Sequence, residues 1–459
     1  MHENGNGNGG GGKISFYAPG SFPGSKPSVP PIFQCLKRPK EAMEIDTQLR
    51  DAASSKELWR LISASASRFD VGNVVVAFTC AAKVDEGEVA LGFGLLALVE
   101  RLMAALDQLE PRGLSMTAYS AAKLGFGDPR LLTQLALQSC RKAKSFGATD
   151  VAKATWAFAK LRFVEEEPAQ QFWRAMAAPA LATLKGGARF VDVSMTAWAF
   201  ASSGWASDEL MAEVASETRR ALPELPPRSL AGIAWALARA DFRDAELFRA
   251  MARRAAAQLA EFSAHDAASF CWAFSVAEMA EEQRQLFEEL AGQLDQRGAL
   301  RRLSCPLAAE LAWALAAAKV EAPGAFATLE ELCVSNIEML ETEDVCGFAW
   351  AFASKTARPS TWRKLAEYAE RQKKGWGKAS FFRRLMAANW ELGDLNREGG
   401  LPGMDRRNYL VAACQIDPEA RDAYHANLPE VVSESLVDLA MACTAEACGM
   451  LDKPLLRAG

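Results

Sequence analysis

Basic residues recur in this chain at a fixed distance from a repeated aromatic position. Lys83, Lys123, Lys160 and Arg239 each fall four residues after it, and Lys153 falls three residues before it. A second group of cations drifts in register: Arg141 and Lys142, Arg219 and Arg220, Arg253 and Arg254, Arg301 and Arg302. Such cations can complement the negative C-terminal ends of helices, or they can neutralise phosphates and release their counterions. The second chemistry makes all thirteen candidate contacts for a phosphate backbone.

Other chemistry is sparse. The three histidines are His2, His265 and His425, and none has a partner nearby in sequence. The ten cysteines contain no CxxC pair. Cys443 and Cys448 are close, but no histidine stands beside them to complete a zinc site. Cys80, Cys271 and Cys346 occupy small-residue positions of the repeated phrase and read as buried and inert. Scattered cysteines without a secretory signal point to a reducing compartment. The run GNGNGGGGK at 5–13 is followed by no clear helix and preceded by no strand, so it reads as a flexible tail and not as a phosphate loop. The apolar run VALGFGLLALV at 89–99 is too short to cross a bilayer. No catalytic residue, metal site or cofactor is expected, and the chain is not read as an enzyme.

The aromatic positions belong to a repeat. TWAFAKL, AWAFASS, AWALARA, CWAFSVA and AWAFASK are spelled around Trp156, Trp198, Trp235, Trp272 and Trp350, with a sixth tryptophan copy at Trp313. Tyr119 anchors a seventh copy, and Thr79 a weaker eighth. The intervals between anchors are 40, 37, 42, 37, 37, 41 and 37 residues. A fixed period of this length means one supersecondary unit per copy, stacked on its neighbours.

The columns say what that unit is. Five before the anchor every copy is apolar, one after it every copy is small, and apolar residues sit at helical spacing throughout. Six before it come Asn73, Asp150, Asp192, Ser229, Asp266 and Asp344, which suit helix N-caps. Gly125 and Gly204, six after it, suit the C-terminal stop. The phrase is therefore an inner helix, apolar on nearly every side. Between phrases run amphipathic segments such as DPRLLTQLALQSCRKAKSF (128–146), which suit outer helices. The expected fold is an all-α solenoid of about eight helix-turn-helix repeats of 37–42 residues with capping helices. The tryptophans, flanked by small residues, are expected to wedge between helices and not to stand exposed as stacking platforms.

Of the 459 residues, 1–40 are rich in Gly, Asn, Pro and Ser and read as a disordered tail. Residues 41–68 read as an N-terminal capping helix, 69–376 as the solenoid, and 377–459 as a degenerate repeat with capping helices. The net charge is −5. The tail contributes Lys13, Lys26, Lys37, Arg38 and Lys40 against Glu3, which leaves the remainder at −9. Nucleic-acid proteins more often carry a basic balance.

The repeated Trp-Ala-Phe/Leu-Ala core resembles the inner helix of octotricopeptide and heptatricopeptide repeats. It is also similar to the helical repeats of RAP-domain and FAST-kinase-like proteins and of RNA-editing substrate-binding complex subunits. The resemblance covers about residues 69–376. It implies sequence-selective binding of single-stranded RNA, within an organellar ribonucleoprotein complex of mitochondria or chloroplasts, and a role in transcript processing, stability, rRNA maturation or translation. No RAP domain is recognisable in 403–459, so nuclease-like activity is not implied, and residues 1–40 do not make a convincing transit peptide. In related repeats one base is read per repeat near the start of the inner helix. The matching variable column here, three before the anchor, includes Lys153 and Glu310. The alternative reading is a non-enzymatic protein-interaction scaffold, cytoplasmic if no organelle claims it, because a solenoid surface suits peptides as well as RNA.

Overall fold

The computed structural model describes residues 38–84, 93–341 and scattered positions from 344 to 368. The expected tail (as far as residue 37) and the segment 377–459 lie outside the described residues, as do Trp350, Cys346, His2, His425, Cys443 and Cys448. Among the described residues there are sixteen α-helices with defined bounds and no strand. The fold is an all-α solenoid, with helices packed against their neighbours in sequence order. The helices fall into two compact units, α1–α11 and α12–α16.

In the N-terminal unit the inner helices are α1 (Lys40–Asp51), α3 (Val71–Val84), α5 (Pro111–Lys123), α7 (Ala148–Lys160), α9 (Phe190–Ser202) and α11 (Pro227–Arg239). Each packs on the next, α1 on α3 and so on to α9 on α11. The outer helices are α2 (Ser55–Ser65), α4 (Phe93–Met103), α6 (Pro129–Lys142), α8 (Glu167–Lys185) and α10 (Asp208–Ala221), stacked in the same order. The C-terminal unit holds α12 (Ala245–Ala256), α13 (Ala264–Val276), α14 (Arg284–Gln296), α15 (Cys305–Ala317) and α16 (Pro323–Ser335), with α13 on α15 and α14 on α16. Where one capping helix was expected, α1 and α2 form a further helical pair. Arg38 anchors it by ion pairs to Asp46 at 2.6 Å and Asp70 at 2.7 Å.

The inner helices start and stop by one scheme. Their N-caps lie nine residues before the anchor, at Glu110, Gly147, Pro226 and Ser263, and not six before it. The acids expected as N-caps sit in the first turn instead, at the third helical position. There they complement the helix dipole and reach back to the cap. Asp70 and Asn73 exchange reciprocal bonds of 2.8 and 3.1 Å, and Ser263 accepts from the Asp266 amide. The same acids also tie neighbouring inner helices together. Ser115 of α5 donates to Asp150 of α7 at 2.9 Å, and Thr149 of α7 donates to Asp192 of α9 at 3.1 Å. A residue with two jobs, capping and cross-linking, is why the column is so regular. Just before each cap an apolar residue is buried: Phe69, Leu109, Phe146, Leu225 and Phe262. Its partner one turn into the helix is the apolar column five before the anchor, in the arrangement of a hydrophobic staple.

At the other end, the residue six after the anchor takes a left-handed conformation. Gly125 and Gly204 do so as expected, at φ 66° and 75°. Arg162, Asp241, Glu278 and Lys319 adopt it without glycine, at φ 53–60°. In each case the next amide bonds back across the last turn, as Phe163 does to the Phe158 carbonyl at 3.0 Å. An apolar contact closes the motif, with the rings of Phe158 and Phe163 5.5 Å apart.

Candidate nucleic-acid interface

Four columns of the inner helices line one face of the N-terminal unit: seven and three before the anchor, the anchor itself, which is half-buried or buried, and four after it. They share one helical face because their spacing follows 3.6 residues per turn. On α5 these are Arg112, Met116, Tyr119 and Lys123; on α7, Thr149, Lys153, Trp156 and Lys160. On α9 they are Val191, Met195, Trp198 and Ser202; on α11, Arg228, Gly232, Trp235 and Arg239. No acidic residue occupies any of these positions, nor the matching ones on α3, which end at Lys83.

Down the middle runs an aromatic ladder. The rings of Tyr119 and Trp156 are 5.1 Å apart, those of Trp156 and Trp198 6.2 Å, and those of Trp198 and Trp235 6.2 Å. Packed helix axes are about 8–10 Å apart. The rings reach across that gap and meet at ordinary aromatic contact distances. Trp156 is 6% exposed and Trp235 9%, while Tyr119 and Trp198 are half-buried. The tryptophans therefore brace neighbouring helices and show only an edge to solvent. Gly232 belongs to the same face for a steric reason: a Cβ there would lie 2.7 Å from the Ser194 hydroxyl of α9.

The cations flank this ladder. Lys153 reaches from α7 onto α5, with its Nζ 3.0 Å from the Met116 sulfur and 5.8 Å from the centre of the Tyr119 ring. No carboxylate of the described residues pairs with Lys153; burial and then the Arg112 charge push its pKa down, against the charges of Asp150 and Asp192. Burial likewise lowers the pKa of Lys160, with Arg162 adding to the effect. Arg112 keeps a buried Nε without a hydrogen-bond partner. Partly desolvated cations on one stripe can take up an external anion.

The looser cations lie elsewhere. Arg141 and Lys142 close α6, Arg219 and Arg220 close α10, and Arg253 and Arg254 stand in the last turn of α12. Arg301 and Arg302 sit in a 3₁₀ turn before α15. Several already have structural partners. Lys142 donates to the carbonyls of Asp107 (3.1 Å) and Leu109 (2.7 Å), Arg220 pairs with Glu217, and Arg301 pairs with Glu331 at 3.0 Å. Lys142 has counterparts in Arg101 on the Phe69 carbonyl and Arg297 on the Ala260 carbonyl. This recurring bond satisfies the carbonyl ends of the preceding turn. The structure thus puts Lys123, Lys153, Lys160 and Arg239 in the columns of one inner-helix stripe, whereas Arg141, Lys142, Arg219 and Arg220 sit at outer-helix ends of the same unit and Arg253, Arg254, Arg301 and Arg302 belong to the C-terminal unit. It adds Arg112 and Arg228, which the sequence reading passed over. Their position seven before the anchor, two turns along the same stripe, was the available signal.

The described helices α13 and α15 of the C-terminal unit carry no lysine or arginine in these columns. The same columns hold His265, Ser269, Trp272 and Val276 on α13, and Pro306, Glu310, Trp313 and Ala317 on α15. Glu310 has a buried Oε2 with no hydrogen-bond partner, and burial together with Asp344 pushes its carboxyl up to about 8. Among the described residues no His, Cys, Asp and Glu cluster could hold a metal ion, and no helix is long and apolar enough to cross a membrane. Cys80, Cys140, Cys271, Cys305 and Cys333 are free thiols, and burial pushes all five up, away from the reactive thiolate. No protein-family model matches the chain. A search of curated proteins finds no similar sequence.

Proposed function

We propose that this is a non-enzymatic RNA-binding repeat protein that takes single-stranded RNA along the inner face of α5–α11. The observation that carries the reading is the alignment of Arg112, Lys123, Lys153, Lys160, Arg228 and Arg239 in inner-helix columns that hold no acidic residue. A net charge of −5 does not oppose it, because counterion release depends on where cations sit. The resemblance to octotricopeptide-type repeats supports the same reading. From that resemblance the proposal extends to a mitochondrial or chloroplast ribonucleoprotein complex that processes or stabilises transcripts.

A salt titration of single-stranded RNA binding, followed by fluorescence anisotropy, tests this. Exchanging Lys123, Lys160 and Arg239 for glutamate is expected to weaken binding and to flatten the salt slope by about 0.7 per lost phosphate contact. Exchanging Arg253 and Arg254 is expected to leave the slope unchanged. The opposite pattern would place the strand on the outer-helix ends. No binding by the wild type at low salt would end the proposal. The cation-free columns of α13 and α15 favour a second reading, in which that unit docks a protein partner.

A further inference from the structure

One junction of the basic stripe differs from the others. On α3–α11 a cation stands seven before the anchor at Arg112 and Arg228, and three before it only at Lys153. Only in the step from α5 to α7, then, is a cation in the first of these columns followed by one in the second. The two helices pack directly on each other. Lys153 leans back across the junction, its Nζ 3.0 Å from the Met116 sulfur and 5.8 Å from the centre of the Tyr119 ring. Arg112 stands one turn before Met116 on α5, and side chains four apart on a helix are neighbours. Both cations are half-buried and reach the same patch of α5. Neither has an anionic partner among the described residues. Other basic groups of this unit do: Arg38 pairs with Asp46 and Asp70, Arg189 with Asp192, and Arg220 with Glu217.

We infer that Arg112 and Lys153 together hold one phosphate group at the junction of α5 and α7. Each brings donors that lack a good acceptor. An ammonium has three N–H groups, and the described acceptor for that of Lys153 is a thioether, which is weak. The Nε of Arg112 is buried with no acceptor at all. A guanidinium fork and an ammonium point charge can meet several oxygens of a tetrahedral group. The electrostatics agree with the contacts. Burial and then the Arg112 charge lower the Lys153 ammonium, and Asp150 and Asp192 act against them. Those two carboxylates are taken up by other donors, Asp150 by Ser115 and Asp192 by Thr149 and Arg189. An anion at the junction would remove the repulsion between the cations and supply the missing acceptors. A sulfur and a ring face hold an ammonium only loosely, so Lys153 can turn to that anion at little cost.

The site deepens the RNA-binding reading and rests on it for the identity of the ligand, a phosphodiester of the strand. A free phosphate compound shares the chemistry, so the test on the full chain has two arms. The first measures single-stranded RNA affinity against salt for wild type, Arg112→Gln, Lys153→Met, their double and Lys153→Arg. Each charge loss is expected to weaken binding about tenfold. The double is expected to lose clearly less than the product, and its salt slope to flatten by about 0.7, as for one phosphate of a single strand. Lys153→Arg keeps the charge and is expected to retain most of the affinity. The second arm records thermal melts with and without inorganic pyrophosphate. Without it, Lys153→Met is expected to melt no lower than wild type, because a partly buried charge without a partner is gone. With it, wild type is expected to gain melting temperature and the charge variants are not. Multiplicative losses, no losses, or a slope change of two phosphates in the double overturn the shared site and leave the functional reading standing. So does a lower melting temperature of ligand-free Lys153→Met, which would make Lys153 a packing residue. RNA losses of the expected pattern without pyrophosphate stabilisation uphold both and confine the site to the strand. Pyrophosphate stabilisation that the variants lose, without RNA binding by wild type, upholds the phosphate site and overturns the RNA reading. Failure of both arms overturns both.

Discussion

Glu310 shows how much one side chain of this repeat depends on its neighbours. It stands in the variable column of α15, where other copies carry Met116, Lys153 or Gly232. Its Oε2 is buried without a partner and faces the Asp344 charge, so the folded carboxyl stays protonated up to about 8, against an ordinary value of 4.5. In the unfolded chain it ionises near that ordinary value. The stability of the protonated form is therefore fully present below 4.5 and is lost as pH rises through about 8. Asp344 adds its negative charge to the same region, and Cys305 feels it too. Replacing Glu310 by Gln removes the titration. The melting temperature of wild type is expected to fall relative to Glu310→Gln between pH 4.5 and 8, and calorimetry at stepped pH checks it. Parallel pH profiles would show that the carboxyl is solvated.

At the scale of the element, the inner helix is a module with a fixed beginning and end. Its beginning combines a staple, a cap and a first-turn acid; its end is a left-handed residue followed by an apolar one. Six copies share that end, yet two have glycine there. A side chain in the left-handed region costs about 1–2 kcal/mol relative to the right-handed one, part of which glycine returns through its larger unfolded-state entropy. Arg162→Gly is thus expected to stabilise the protein by about 0.5–1 kcal/mol. Urea unfolding measures it, and a loss of stability would mean that the arginine side chain supports the turn. The existence of this module was legible from its period, its small-residue column and Gly125 and Gly204. Its start was displaced by three residues, because an acid in the first turn and an acid at the cap look alike in one sequence. The two are told apart by where the first helical bond forms. The helical pair α1–α2 was legible only as a cap, because α1 buries Ala42, Ile45 and Leu49 without the tryptophan phrase.

At the scale of the whole molecule, stability is a sum over neighbours, since each repeat touches chiefly the ones beside it. Trp235 packs its ring on Trp198. Trp235→Ala is expected to cost about 3–5 kcal/mol, the range for large aromatics in cores. That loss should be local. Hydrogen exchange is expected to quicken in α9 and α11 and to stay unchanged in α1 and α3. Uniform acceleration along the chain would show a cooperative core instead of a repeat array. The candidate interface belongs to this scale as well. The cations four after each anchor could be read from spacing, because they repeat with the phrase. Arg112 and Arg228 could have been, since they continue the same stripe.

The sequence by itself determined the solenoid. Hydrophobic period and small-residue columns are properties of one chain segment and its copies, and they leave a helical pair as the way to bury them. Tertiary structure alone decided which cations share a face. Lys142 and Lys123 are equally basic in sequence, yet one bonds the carbonyls of Asp107 and Leu109 and the other stands open beside Tyr119. It also decided that Lys153 of α7 lies over the Tyr119 ring of α5, thirty-four residues earlier. Which side chains meet across two repeats depends on how the helices pack, and no single repeat carries the record of it.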